Sequence, residues 1–165
     1  MNLISFQFIL FFCCFLVCYY VVPAKHRYII VFLGSYLFYG YAHPLMLCAL
    51  AGLTVISYIG GLVIEKYKSR AAYLLFMALE VALLAVFKYT DFIISNINLV
   101  AEMIRPGIQF ESHWNLVLPL GFSFIVFQTC TYLSDVYRGK LQAEKSKILY
   151  ASFAAFFPTV LSGPI

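Results

Sequence analysis

The sequence predicts an all-α polytopic membrane protein of about five transmembrane helices, with interfacial and re-entrant helices beside them. Three observations carry that expectation. Of the 165 residues, 64% are hydrophobic and 11% charged, where soluble domains carry about 25% charged residues. Apolar runs of near-span length recur, separated by short basic or Pro-containing turns. Nine of the eleven Lys and Arg fall in alternate loops, the asymmetry that orients polytopic membrane proteins. The net charge of +4 comes without a basic stripe interleaved with stacking aromatics, which excludes nucleic-acid binding.

The elements follow in order. Residues 3–22 run for 20 positions without a charge, enough to cross a hydrocarbon core of about 30 Å. No basic region precedes the run and it is too long for a cleaved signal, so it reads as a permanent first span. Pro23 ends it, and Lys25-His26-Arg27 makes a basic turn. Residues 28–42 form a shorter, Tyr-rich second run, closed by His43-Pro44. Residues 45–64 form a third, with Ala49, Gly52, Ser57, Gly60 and Gly61; small residues let helix backbones approach closely in lipid. After the charged loop 65–70, residues 71–87 form a fourth run with Glu80 near its middle. Residues 91–104 are less apolar and read as a separate interfacial amphipathic helix. An exposed loop follows at 105–113, marked by Pro106-Gly107.

Residues 115–140 make the fifth span. Asn115 is its expected N-cap and Pro119 lies in its first turns. Gly139 between Arg138 and Lys140 is a C-terminal signature. Gly121, Phe124, Gln128, Tyr132 and Asp135 share one face of that helix by their spacing of three and four. A stripe that becomes polar along its length is expected to face protein or a water-filled cavity. Asp135 and Arg138, at i and i+3, are expected to pair. A polar linker covers 141–147, and 148–157 is apolar but too short to span, hence buried or re-entrant.

With the N-terminus outside, the inside loops hold Lys25, Arg27, Lys66, Lys68, Arg70, Arg138, Lys140, Lys145 and Lys147. Only Lys88 and Arg105 lie outside. The charge bias therefore places the N-terminus outside. The five Cys fall in apolar runs without metal-ligand spacing and are expected to pack as small hydrophobes; no metal site is expected. His26, His43 and His113 sit in turns or loops without a positioned partner, so solvated roles outweigh general-base roles. For Glu80, a structural hydrogen bond inside the bundle outweighs a proton relay.

The string LPLGFSFIVFQTCTYLSDVYRG at 118–139 resembles the signature of the membrane-bound O-acyltransferase family. More narrowly, it is similar to the branch holding the alginate O-acetyltransferase membrane subunit and the D-alanyl transfer protein of teichoic acid synthesis. Its motif positions here are Pro119, Gly121, Ser123, Phe124 and Gly139. Three further blocks agree in order and spacing: Ser35-Tyr36-Leu37-Phe38-Tyr39-Gly40, Phe87-Lys88-Tyr89, and Phe156-Phe157-Pro158 followed by Ser162-Gly163-Pro164-Ile165. The family often has Asn where Glu80 stands, and ISFFTFQ where this chain has Phe122-Ser123-Phe124-Ile125-Val126-Phe127-Gln128.

The resemblance implies a multi-pass protein of the bacterial cytoplasmic membrane. It implies transfer of an acyl group, acetyl in the alginate-like branch, from a cytoplasmic donor to hydroxyls of an extracytoplasmic polysaccharide. Acetyl-CoA is the implied donor, with no bound cofactor. The implied partners are the bilayer, the polysaccharide acceptor and an extracytoplasmic acyltransferase or acyl carrier. It also implies that residues 1–165 form the N-terminal part of one membrane-embedded acyltransferase domain, truncated at its C-terminal end and inactive alone. The family's His lies beyond Gly163-Pro164-Ile165, so no catalytic residue is assigned. Gln128, Tyr132 and Asp135 are candidates for a funnel wall, and Arg138 for a cation near the cytoplasmic mouth. The runner-up functions are D-alanyl or peptidoglycan acyl transfer, and a membrane transporter or scaffold module. A transporter predicts inverted internal repeats, which are absent from the five expected spans.

Overall fold

A computed structural model describes residues 6–42, 44–104 and 121–156, and these form six α-helices. Helix α1, Phe6–Val21, is uncharged and almost wholly apolar. Pro23, at φ −53° and ψ 142°, turns the chain out of it into the short 3-10 turn Ala24–His26. Arg27 opens α2, Arg27–Ala42, and its Nε donates to the Val22 carbonyl at 3.3 Å. That bond satisfies one of the acceptors a helix end leaves orphaned.

Helix α3, Pro44–Tyr67, is the hub, packing against α2, α4, α5 and α6. Its small residues make the close approaches expected of them. A Cβ on Gly60 would stand 2.9 Å from the Phe76 ring of α4. One on Gly61 would stand 2.7 Å from the Tyr132 hydroxyl of α5.

Helix α4 runs unbroken for 35 residues, Arg70–Ile104. The separate interfacial helix expected at 91–104 is therefore its second half. The reason is local: the stretch contains no Pro or Gly. Its polar residues also bond back into their own helix, Thr90 to the Val86 carbonyl and Asn96 to the Phe92 carbonyl at 2.7 Å. Phe87-Lys88-Tyr89 lies inside this helix and does not close it.

Among the described residues, two segments are long and apolar enough to cross a membrane, Leu47–Tyr67 and Arg70–Thr90. The second is only 6% buried within the bundle, which suits a helix facing lipid. Helices α1, α2 and α5 have 16 residues each, or about 24 Å, so about five full spans are not seen among the described residues.

Helix α5, Phe122–Tyr137, starts later than expected, because Gly121 at φ 71° sits in the left-handed region as its N-cap. A helix continuous from Asn115 is incompatible with that backbone. Asn115 and Pro119 lie outside the described residues, as do His43, the 105–113 loop with His113, and Gly163-Pro164. The C-terminus of α5 follows the sequence expectation. Gly139 is left-handed at φ 72°, Gly139 N–H donates to the Val136 carbonyl at 3.0 Å, and Lys140 N–H donates to that of Asp135 at 2.9 Å. This is the Schellman pattern.

The segment expected at 148–157 is the short helix α6, Lys147–Ala154, capped by the Ser146 hydroxyl. It packs on α2, α3 and α5. Between α5 and α6 the linker is tied to α3. Tyr58 donates to the Lys145 carbonyl at 2.8 Å, and Ala143 N–H donates to Glu65 Oε1 at 3.2 Å. The α1–α2 turn, the α3–α4 turn and this linker thus lie at one end of the bundle, with the nine basic residues they carry.

Candidate functional site

The core face of α5 comes first, because it fixes the other. Phe122, Ile125, Val126, Thr129, Cys130, Leu133 and Val136 are buried against α3 and α4. Glu80 of α4 is fully buried and ties α4 to α5. Its Oε2 accepts from the Thr129 hydroxyl at 2.9 Å and from the Cys130 thiol at 3.1 Å, while Oε1 has no partner. Glu80 thus makes the structural bond favoured above. Of the five Cys, only Cys130 packs inside; Cys13, Cys14, Cys18 and Cys48 are exposed, a correction to packing for all. They lie on the outer surfaces of α1 and α3, which nothing covers among the described residues.

The opposite face of α5 carries the predicted stripe. Phe124, Gln128, Tyr132 and Asp135 line one cavity of about 340 Å³, walled also by Thr131 and Phe153. Gln128 Nε2 donates to the Phe153 carbonyl at 3.4 Å, and its Oε1 is buried without a partner. Tyr132 is anchored: its hydroxyl accepts the Glu144 backbone N–H at 3.1 Å, in the space that Gly61 leaves open. Asp135 lies 4.0 Å from Lys140 Nζ, which replaces the expected Asp135–Arg138 pair. The helix ends at Tyr137 with Arg138 as its C-cap, and the Gly139 turn brings Lys140 back over Asp135. Arg138 is exposed and does not line the cavity.

The other described motif residues divide between packing and surface positions. Gly121 caps α5, and Ser123 is half-buried in its first turn. Phe87 meets the Phe122 ring at 5.6 Å. The Lys88 ammonium lies 5.6 Å from the Tyr89 ring, both residues exposed. Tyr36 donates to Thr54 at 3.2 Å, joining α2 to α3. Tyr73 and Ser134 share a hydrogen bond at 3.1 Å between α4 and α5.

A second cavity of about 580 Å³ adjoins the first through Tyr132, Leu141 and Phe153 and is bounded by Arg27, Tyr19 and Glu144. Sequence reasoning missed Arg27 and Phe153 as lining residues. Arg27 read as a topology marker, and only the tertiary return of α6 onto α2 brings Phe153 to α5. Among the described residues no three His, Cys, Asp or Glu gather as metal ligands do.

The chain is similar to several known proteins. A Pseudomonas aeruginosa protein named "Probable alginate O-acetylase AlgI" is 33% identical over 156 residues, covering 92% of this chain and 30% of its own length. Over that stretch the chain is similar to proteins named alginate O-acetylases. The Pseudomonas putida protein of the same name is 31% identical, over 92% of this chain and 32% of itself. A Helicobacter pylori protein named "Peptidoglycan O-acetyltransferase" is 32% identical, over 81% of this chain and 29% of itself. The chain therefore spans about a third of the length of these relatives. The likeness to the alginate branch read from residues 118–139 is borne out. No family model and no solved structure matches.

Proposed function

We propose that this chain is the N-terminal transmembrane portion of a membrane-bound O-acyltransferase of the bacterial cytoplasmic membrane. The protein moves an acetyl group from a cytoplasmic donor, acetyl-CoA, to hydroxyls of an extracytoplasmic polysaccharide such as alginate. In the net reaction the acceptor oxygen bonds to the acetyl carbon, the thioester C–S bond breaks, and the hydroxyl proton ends on the leaving thiol. The observation that carries the reading is the likeness, over 92% of the chain, to proteins named alginate O-acetylases.

The groove on α5 supports a part for this chain in that reaction. Gln128 and Asp135 line that wall with polar side chains, where lipid satisfies none. The nine basic residues at one end of the bundle support an orientation with that end in the cytoplasm and the N-terminus outside. The groove then opens toward the donor. No residue of the chain is assigned the proton transfer; its residues shape and wet the path. An extracytoplasmic acyltransferase or acyl carrier completes the transfer.

The test supplies the intact protein in membranes with labelled acetyl-CoA and alginate. Label in the polymer as an alkali-labile ester supports the proposal, and its absence from every envelope polymer refutes it. Peptidoglycan is the second acceptor to assay, because the Helicobacter pylori relative is named for it.

A further inference from the structure

We propose that the cavity between the α1–α2 turn and the α5–α6 linker binds the phosphate of an anionic phospholipid on Arg27. Arg27 is the cation lining this cavity of about 580 Å³. Its guanidinium is held in place before any ligand arrives. Nε donates to the Val22 carbonyl at 3.3 Å, and the guanidinium carbon lies 5.0 Å from the Tyr19 ring centre and 5.7 Å from that of Tyr20. A planar fork fixed by its Nε and its face leaves its terminal nitrogens to a bidentate acceptor, and little rotamer freedom remains to be lost on binding.

The cavity's own carboxylate does not neutralise it. Glu144 also lines the cavity, but its Oε1 accepts the Ser146 N–H at 2.8 Å. Among the described residues no ion pair within 4.0 Å joins it to Arg27; the one such pair is Lys140–Asp135. A half-buried guanidinium beside apolar walls is better satisfied by a phosphate than by water alone.

Two features favour a lipid over a soluble phosphate. Arg27 stands just past the end of an apolar helix, at the end of the bundle that gathers the basic residues, which is the depth of lipid phosphates. The walls beyond it are Val31 of α2, Leu149 of α6 and Phe156, apolar surface that suits an acyl chain. The site adjoins the Gln128–Asp135 groove, and the proposal does not rest on acyl transfer.

The test titrates purified intact protein with phosphatidylglycerol and, separately, phosphatidylcholine, and counts retained lipid by native mass spectrometry. Wild type is expected to retain phosphatidylglycerol in preference. Arg27→Gln is expected to weaken that retention about fivefold or more. Arg138→Gln, the same charge change at the same end but outside the cavity, is expected to leave it unchanged. Equal loss in both variants means diffuse surface attraction and overturns the site. Adenosine 3′,5′-bisphosphate binding in place of phosphatidylglycerol also overturns it, in favour of a soluble phosphate ligand. Should Arg27→Gln fail to fold, Val31→Trp, which fills the apolar wall, decides, and wild-type retention in that variant overturns the proposal.

Discussion

The two faces of α5 differ in how their polar atoms are satisfied. On the inner face Thr129 bonds both Glu80 and its own helix, Cys130 bonds Glu80, and Ser134 meets Tyr73. Glu80 Oε1 is the exception there. On the groove face Gln128 Oε1 has no partner, Asp135 has one contact at 4.0 Å, and Thr131 bonds only the Phe127 carbonyl of its own helix. The inner face uses its polar groups to hold α4 and α5 together. The groove face ties Tyr132 to the Glu144 N–H and Gln128 to the Phe153 carbonyl, and it lines the cavity with Asp135 and Thr131, as expected where a polar stripe faces a cavity rather than lipid.

Substitutions break or sharpen that contrast. The largest effect is expected from Gly61→Val, whose side chain has no room beside the Tyr132 hydroxyl, 2.7 Å from a Cβ there. Overpacking of this kind costs about 1–3 kcal/mol. Thermal unfolding in detergent and membrane abundance should both fall; wild-type values for both would mean that this contact does not position Tyr132. Next comes Glu80→Ala, which removes the acceptor for Thr129 and Cys130 and is expected to cost about 2 kcal/mol. Glu80→Gln keeps the shape and an acceptor and should cost less. If the two variants unfold at the same temperature, the Glu80 bonds do not join α4 to α5.

Tyr132→Phe removes one hydrogen bond of about 0.6 kcal/mol on the membrane-protein average. It should speed amide exchange at Glu144, whose N–H then has no acceptor, while the helix core stays protected. Unchanged exchange there would show that the hydroxyl does not anchor the linker. Lys140→Gln, the smallest, removes a surface pair worth a few tenths of a kcal/mol. It should leave unfolding within error, and a drop of several degrees would make that pair part of the packing.

Much of this contrast was legible in the sequence. The spacing of Phe124, Gln128, Tyr132 and Asp135 was enough to place them on one helical face, because helix periodicity is local. The Gly139 ending was legible for the same reason. The pairing of Asp135 was not, because the Gly139 turn folds Lys140 back while Arg138 points away. Continuity of α4 was hidden too: falling hydropathy after Thr90 mimics a helix end, though no breaker residue is present. Phe153 reaches the groove, and Arg27 the cavity adjoining it, only by tertiary packing of α6 and the α1–α2 turn, which no local pattern encodes. The blocks of the family signature also hold packing and site residues side by side. Resemblance alone therefore did not separate Cys130, which ties helices, from Gln128, which faces the groove.

The central claim is that the groove face serves transfer while the inner face serves the fold. Labelled acetyl incorporation per molecule of folded intact protein, compared between Gln128→Leu and Ser57→Ala, tests it most directly. Ser57 is buried in α3 and bonds the Leu53 carbonyl at 2.8 Å, so its loss belongs to the fold. The account predicts that Gln128→Leu keeps wild-type unfolding temperature and loses about tenfold or more in transfer, roughly the worth of one well-placed polar contact. Ser57→Ala should lower stability slightly and keep transfer per folded molecule. Full transfer by Gln128→Leu, at equal abundance and stability, would contradict it.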